Sequence, residues 1–320
     1  MAAATAVFNL AALLASDCGI PDLARTWCHR LAASALDHDS EPKHALEPIV
    51  NLARLHIRAG DGLSAWKLLE DLFRAVDSRT DITIDGITIP IARLTETPTA
   101  YTETRQWLWT VLLGTGAHAL AAAGRWDEAS ERLRQYRGIG VRMLDGRQVA
   151  VIAHVLAGRS HKARAMLAAT QPGEPWENAV TACLALHVPA AGPVNVTATA
   201  LNTFQKLGYA EAGLTVLHTR LGLSIIDALD RRDAARNRIV VRLIHRAARD
   251  GYAARELLAH PHCLDDAPAG QIRQLSDLMS ACGLARGSIS TTHMTSLDKA
   301  LAIAERVIAA HGRRLPPVPV

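Results

Sequence analysis

The amino-acid sequence predicts an all-α chain of stacked antiparallel helical hairpins, a solenoid or compact helical array, with one β-hairpin inserted at about 81–91. Three observations carry that expectation. First, hydrophobic residues make up 49% of the 320 residues but aromatic ones only 4%, so the core must be built from Ala, Leu, Ile and Val. Ala and Leu are the strongest helix formers, and small side chains let helices approach toward the short end of the usual ~8–10 Å spacing. Second, one turn recurs. Gly followed five residues later by Ala, with apolar helix spacing on both sides, occurs at Gly19/Ala24, Gly60/Ala65, Gly124/Ala129 and Gly158/Ala163, and in degenerate form at Asp230/Ala235. Third, "DITIDGITIPI" at 81–91 alternates apolar and polar residues around Asp85-Gly86, the strongest short hairpin signal.

Taken in chain order, helical pattern runs over about 3–17, 22–36, 43–59 and 63–79. The opening "MAAATAVFNLAALLASDCG" has no Lys or Arg before its apolar stretch, and Asp17 stands where a small residue should precede Cys18. It therefore reads as an amphipathic first helix rather than an export signal. In the hairpin, a two-residue turn pairs Ile84 with Ile87 and Ile82 with Ile89 on one face, leaving Thr83 and Thr88 on the other. A lone hairpin is marginal in water, so its Ile face must lie on helices. It reads either as a flap over a gap in the stack or as a partner-binding or dimerising edge. Helical pattern resumes at 100–123, 126–136, 147–157 and 160–169, then at 175–187, 196–207 and 211–229. It ends with 232–249, 252–259, 268–282 and 296–311. "QPGEPW" (171–176) and "VPAAGPVN" (188–195) are the breakers.

At each recurring turn Gly can take the left-handed conformation that ends a helix. A starter for the next helix follows: Pro21-Asp22, Ser64, Asp127-Glu128 or Ser160. "NLAALLASDCGIPDLAR" from Asn9 and "NLARLHIRAGDGLSAWK" from Asn51 share Asn-Leu-Ala-x-Leu 42 residues apart, and Gly124 and Gly158 lie 34 apart. Periods of this size mean stacked hairpins, none of which buries its apolar face alone. These segments, above all "AHALAAAGRWDEASERL" and "AVIAHVLAGRSHKARAML", resemble the tetratricopeptide-type helical repeats. The Trp and Tyr of that family's first helix and its closing Pro are missing, so the resemblance is to a degenerate member. It covers 1–79 and 104–170 best and 205–260 faintly. It implies a concave groove that binds peptides or proteins, and no chemistry. The expected division is N-terminal repeats with the hairpin at 1–170, a C-terminal array continuing the stack at 171–312, and an extended tail, "RRLPPVPV", at 313–320.

Composition excludes several classes. The formal net charge of +4 is too small to argue for nucleic acid or a membrane surface, and no run approaches the length of a membrane span. Basic residues are nearly all Arg, with Lys only at Lys43, Lys67, Lys162, Lys206 and Lys299. Five scattered cysteines without a C-x-x-C pair fit a reducing cytoplasm and neither a disulfide framework nor a zinc site. "LLAHPHCLDD" gathers His260, His262, Cys263, Asp265 and Asp266, but no second ligand pair lies at a zinc-like distance, so no metal is expected. "YRGIGVRMLDGRQ" lacks the third Gly and preceding strand of a dinucleotide fingerprint, and no catalytic motif occurs. Neither a cofactor nor a catalytic residue is therefore expected.

What remains is binding. First helices line the inner surface of a repeat stack, which selects Asn9, Asn51, Arg54, His118 and Gln148 as groove residues or as ordinary bonds between repeats. Asn amides can hold a peptide backbone and Arg54 a carboxylate. Arg238, Arg242, Arg246 and Arg249 share one helix face, either solvated or facing an acidic partner, with Asp227, Asp230, Asp233 and Asp250 near enough in sequence to neutralise it. Trp27 and Trp66 should wedge between hairpins, while Trp107 and Trp109 must point to different sides of one helix. The expected function is non-enzymatic binding of a peptide or protein partner, as scaffold, regulator or accessory subunit. The alternatives are a partner of a modifying enzyme in a peptide or secondary-metabolite pathway, and a ligand-sensing regulatory module. A homodimer is compatible with each.

Overall fold

The computed structural model describes residues 2–38, 41–189, 195–207 and 213–312. The tail at 313–320 and most of the joint at 188–195 lie outside the described residues. The fold is all-α with one small antiparallel hairpin. In order, the first elements are α1 (Ala2–Asp17), α2 (Pro21–Asp37), α3 (Pro42–Arg58) and α4 (Gly62–Ser78), then β1 (Ile82–Ile84) and β2 (Ile87–Ile89). Next come α5 (Ile91–Leu94), α6 (Pro98–Val111), a π-helical segment (Leu112–Gly116), α7 (Ala117–Ala122) and α8 (Trp126–Gln135). There follow α9 (Asp145–Leu156), α10 (Ser160–Ala168), α11 (Pro175–Leu186), α12 (Val196–Lys206) and α13 (Thr215–Ala228). The last are α14 (Ala234–Ala247), α15 (Gly251–Ala259), α16 (Ala269–Ala281) and α17 (Thr291–Gly312).

The recurring turn does what its residues dictate. Gly19, Gly60, Gly124 and Gly158 all have φ between 70° and 80°, the left-handed region that closes a helix. The Ala that follows each of them, Ala24, Ala65, Ala129 and Ala163, is fully buried where the second helix meets the first. A larger side chain there would push the hairpin apart. The fifth turn differs: Asp230 caps a local bend through the Arg232 amide, and Asp233 is the N-cap of α14.

Two compact units result, Met1–Tyr136 with Ala285–Val320, and Arg137–Leu284. In the first, α1 to α4 form two hairpins, and α17 returns to pack on α1 and α2. The return is tied down by Ala285 and Gly287, whose amides donate to the carbonyls of Asp17 and Cys18 at 2.8 and 2.6 Å, and by the Arg30–Glu305 ion pair at 2.9 Å. Trp27 and Trp66 are buried, as the wedge reading requires. The stretch expected as one helix at 100–123 widens into a π turn at 112–116, where the Trp66 ring lies over Gly116. No sequence signal marks the short helix α5.

The hairpin forms in the expected register, Ile82 with Ile89, Thr83 with Thr88 and Ile84 with Ile87. Asp85 and Gly86 have φ of 50° and 79°, the two positive values of a type I′ turn. Ile84 and Ile89 are buried against α2 and α4, so the Ile face lies on helices.

In the second unit the main cluster gathers Phe204, Leu221, Ile225, Ile239, Leu243, Ala254 and Leu257 from α12 to α15. Its entry segment is held by two buried charges. Arg147 donates to the carbonyls of Gly140 and Met166 and to the Thr170 hydroxyl at 2.6–2.8 Å. Glu177, 1% exposed, accepts from Arg142 and closes a capping box on α11. The Arg142 hydrogen bond holds the Glu177 carboxyl below its ordinary range.

Candidate functional site

The expected groove residues are divided. Asn9, Asn51 and Arg54 come together on α1 and α3. Asn51 donates its Nδ2 to Asn9 Oδ1 at 2.8 Å, and Arg54 Nη1 donates to Asn51 Oδ1 at 2.5 Å. Asn9 and Asn51 are half-buried, whereas Arg54 is exposed. This bond belongs to a polar seam between the two first helices. The Thr5 hydroxyl lies 3.4 Å from His44 Nδ1, and Arg58 donates to the Ser16 hydroxyl and to Asp17 Oδ1, both at 2.7 Å. On α3 the seam residues His44, Asn51 and Arg58 recur every seven, so they share one helix face.

The Asn51 amide thus bridges hairpins instead of standing open to a peptide. Arg54 lies just off the seam, one turn beyond Asn51, and turns toward solvent. Its guanidinium has five N–H donors, and Nη1 is the one held by Asn51.

The other two residues are elsewhere. His118 is exposed on α7 in the same unit. Gln148 belongs to the second unit, where its Nε2 donates to the Met143 carbonyl at 3.0 Å.

The arginine face of α14 is not uniform. Arg238 is exposed and Arg242 and Arg246 are half-buried, whereas Arg249, also exposed, lies beyond the end of α14 at Ala247 and so does not share its face. Arg242 lies 5.9 Å from the Phe204 ring centroid, and Arg246 Nη2 is 3.5 Å from the Thr215 hydroxyl. Beneath them sits His218, 2% exposed, with its ring 4.3 Å from Phe204. Burial, with the charges of Arg246 and Arg242, pushes the His218 pKa down to about 4. The acids near in sequence take other roles: Asp233 and Asp250 cap helices, and Asp227 pairs with His260 at 3.1 Å.

Sequence reasoning missed the clamp on the hairpin. Arg25 Nη1 reaches both carboxylate oxygens of Asp85 at 2.8 and 2.7 Å, and His29 Nε2 lies 2.8 Å from Oδ2. A carboxylate only accepts, so Nε2 carries the proton. Partial burial raises the Asp85 carboxyl pKa, but the His29 hydrogen bond and the Arg25 charge outweigh it and hold the group below its ordinary value. Arg25 and His29 are one turn apart on α2, a spacing visible in sequence; their partner at position 85 was not.

Trp107 and Trp109 are half-buried, and Trp109 donates to the Tyr136 carbonyl at 2.9 Å. In the 257–266 segment, His262 pairs with Asp265, and burial pushes the Cys263 thiol up to about 11. Among the described residues, no three His, Cys, Asp or Glu side chains converge as metal ligands. Among them, too, no helix is long and apolar enough to cross a membrane.

The chain matches no family model, no curated protein and no solved structure.

Proposed function

We propose that the chain is a non-enzymatic, cytoplasmic binding module, a degenerate tetratricopeptide-like array. It docks a peptide or protein partner bearing a carboxylate on the first-helix face of its first unit, as scaffold, regulator or accessory subunit. The observation that carries this reading is Arg54: an exposed guanidinium oriented in advance by the Asn9–Asn51 bridge. Ordering a long side chain costs about 0.5–1.5 kcal/mol on association, and a guanidinium already held by one bond avoids part of that cost. Arg also suits planar, two-point contact with a carboxylate. The cysteines are all free, which suits a reducing compartment.

The test is affinity capture from the native host, comparing the wild-type chain with Arg54→Ala and Asn51→Ala. Arg54→Ala should lose the captured partner while keeping the wild-type melting temperature. Asn51→Ala should weaken capture and also lower stability, by about 1 kcal/mol for the lost bond between hairpins. Equal capture by all three chains would remove the reading.

A further inference from the structure

The exposed face of α1 carries an apolar surface that borders the Asn9–Asn51–Arg54 set, since Leu13 lies one turn after Asn9, and that extends away from it. On α1, Leu10, Leu13 and Leu14 are 64%, 45% and 41% exposed, although Phe8, Ala11, Ala12 and Ala15 on the other side of the helix are buried. On α17, which packs on α1, Ile303 and Val307 are 53% and 37% exposed. They stand two residues to either side of Glu305, which faces Arg30 of α2. At 100° per residue they occupy the opposite flank, so both outer faces turn away from α2. Five large apolar side chains exposed on two helices that pack together exceed the singly scattered apolar residues of an ordinary surface.

We infer that this surface binds a second copy of the chain, with the two α1 helices packed antiparallel about a two-fold axis near residue 8. Two features select this occupant. From Ala2 to Ser16 helix α1 has no charged residue, so the α1 part of the face carries no charge pattern with which to choose a foreign charged partner. The exposed positions also complement themselves. Ala2, Ala3 and Ala6 are the exposed small residues of the first half, and Leu10, Leu13 and Leu14 the exposed large ones of the second. Antiparallel pairing about residue 8 sets Ala2 opposite Leu14, Ala3 opposite Leu13 and Ala6 opposite Leu10. Every large side chain meets a small one, on both copies at once, as an isologous contact requires. Residues 3, 6, 10 and 13 also keep the alternating three- and four-residue spacing of a helix–helix seam.

Size sets the class of interface. A 16-residue helix is about 24 Å long, and two adjoining helices are about 20 Å wide, or about 500 Å² per copy. The total of about 1,000 Å² reaches the lower bound for a specific interface and falls short of the standard ~1,600 Å². An interface at that bound belongs to the weak, transient class, and a micromolar dimer is the expected outcome.

The experiment is sedimentation velocity on the full chain from 1 to 100 µM, roughly the span over which a micromolar equilibrium is resolved. The wild-type chain should pass from monomer to dimer. Ala6→Lys and Leu10→Glu, each at a solvent-facing position, should keep the wild-type melting temperature and weaken self-association at least about tenfold, which is ~1.4 kcal/mol. Mixing the two variant chains should restore a heterodimer. The antiparallel register sets the new ammonium of one copy against the new carboxylate of the other and leaves the second Ala6/Leu10 pair intact. A wild-type chain that stays monomeric throughout overturns the inference. So does a dimer indifferent to Leu10→Glu, or a mixture that associates no better than its components. Self-association is read on the purified chain without any captured partner and at residues other than Arg54, so its failure is distinguishable from failure of the capture test.

Discussion

Acid should weaken the second unit through His218, and the size of the effect follows from its burial. The imidazole titrates at about 4 in the fold against 6.5 in the open chain. Between those values the unfolded chain binds the extra proton, so the contribution is complete above pH 6.5 and is lost as the pH falls toward 4. At pH 5 the folded imidazole is still neutral and the unfolded one mostly charged, a difference of about 2 kcal/mol. Carboxylates remain largely ionised at that pH, so the window isolates histidine. For a domain near 150 residues, about 2 kcal/mol lowers the melting temperature by about 4–8 °C. The assay is urea denaturation of the wild-type chain and His218→Leu at pH 7.5 and 5. The variant, with nothing to protonate beneath Arg242 and Arg246, should lose about 2 kcal/mol less than the wild type on acidification. Parallel losses would refute the claim that His218 is held neutral by burial and by the two arginines.

Other substitutions separate effects that the structure places side by side. Asp85→Asn keeps a residue that tolerates the turn's positive φ but removes the charge held by Arg25 and His29. It should cost about 1 kcal/mol by thermal melting and leave the helix signal intact. Asp85→Pro cannot take the type I′ angles and should detach the hairpin, read as faster amide exchange at 82–89. Gly62→Ala would place a Cβ 2.0 Å from the Ala119 carbonyl oxygen, a backbone atom that can move only with α7. A loss of about 1–3 kcal/mol should appear in the same melt. A neutral Gly62→Ala would mean that α4 and α7 are less closely packed than described.

The helical hairpins were legible because their signals are local. A Gly that closes one helix and a buried Ala one turn into the next lie within a single turn of sequence, and all four such pairs behave alike. The register of the hairpin followed from Asp85-Gly86 for the same reason. What sequence hid depends on distant partners. Nothing near Thr291 announces that α17 will lie on α1, and nothing near Asp85 names Arg25, 60 residues away. The π turn at 112–116 accompanies the packing of Trp66 on Gly116, a tertiary contact that helix propensity does not encode. The candidate site was half legible. The 42-residue repeat of Asn9 and Asn51 placed both on neighbouring first helices, but residue type alone does not decide between binding a peptide and binding each other. Gln148, chosen by the same reasoning, falls in the second unit and bonds locally to the Met143 carbonyl.

The most direct measurement on the proposed function is a calorimetric titration of the captured partner into the wild-type chain and into Arg54→Ala, each accompanied by a melting curve. A charge-assisted contact from a guanidinium contributes about 1.5–3 kcal/mol. The variant should therefore bind about ten- to a hundredfold more weakly, with its melting temperature unchanged because Arg54 is exposed. Affinity equal to that of the wild type would contradict docking at Arg54. A lowered melting temperature with full affinity would make Arg54 one more bond in the seam between α1 and α3.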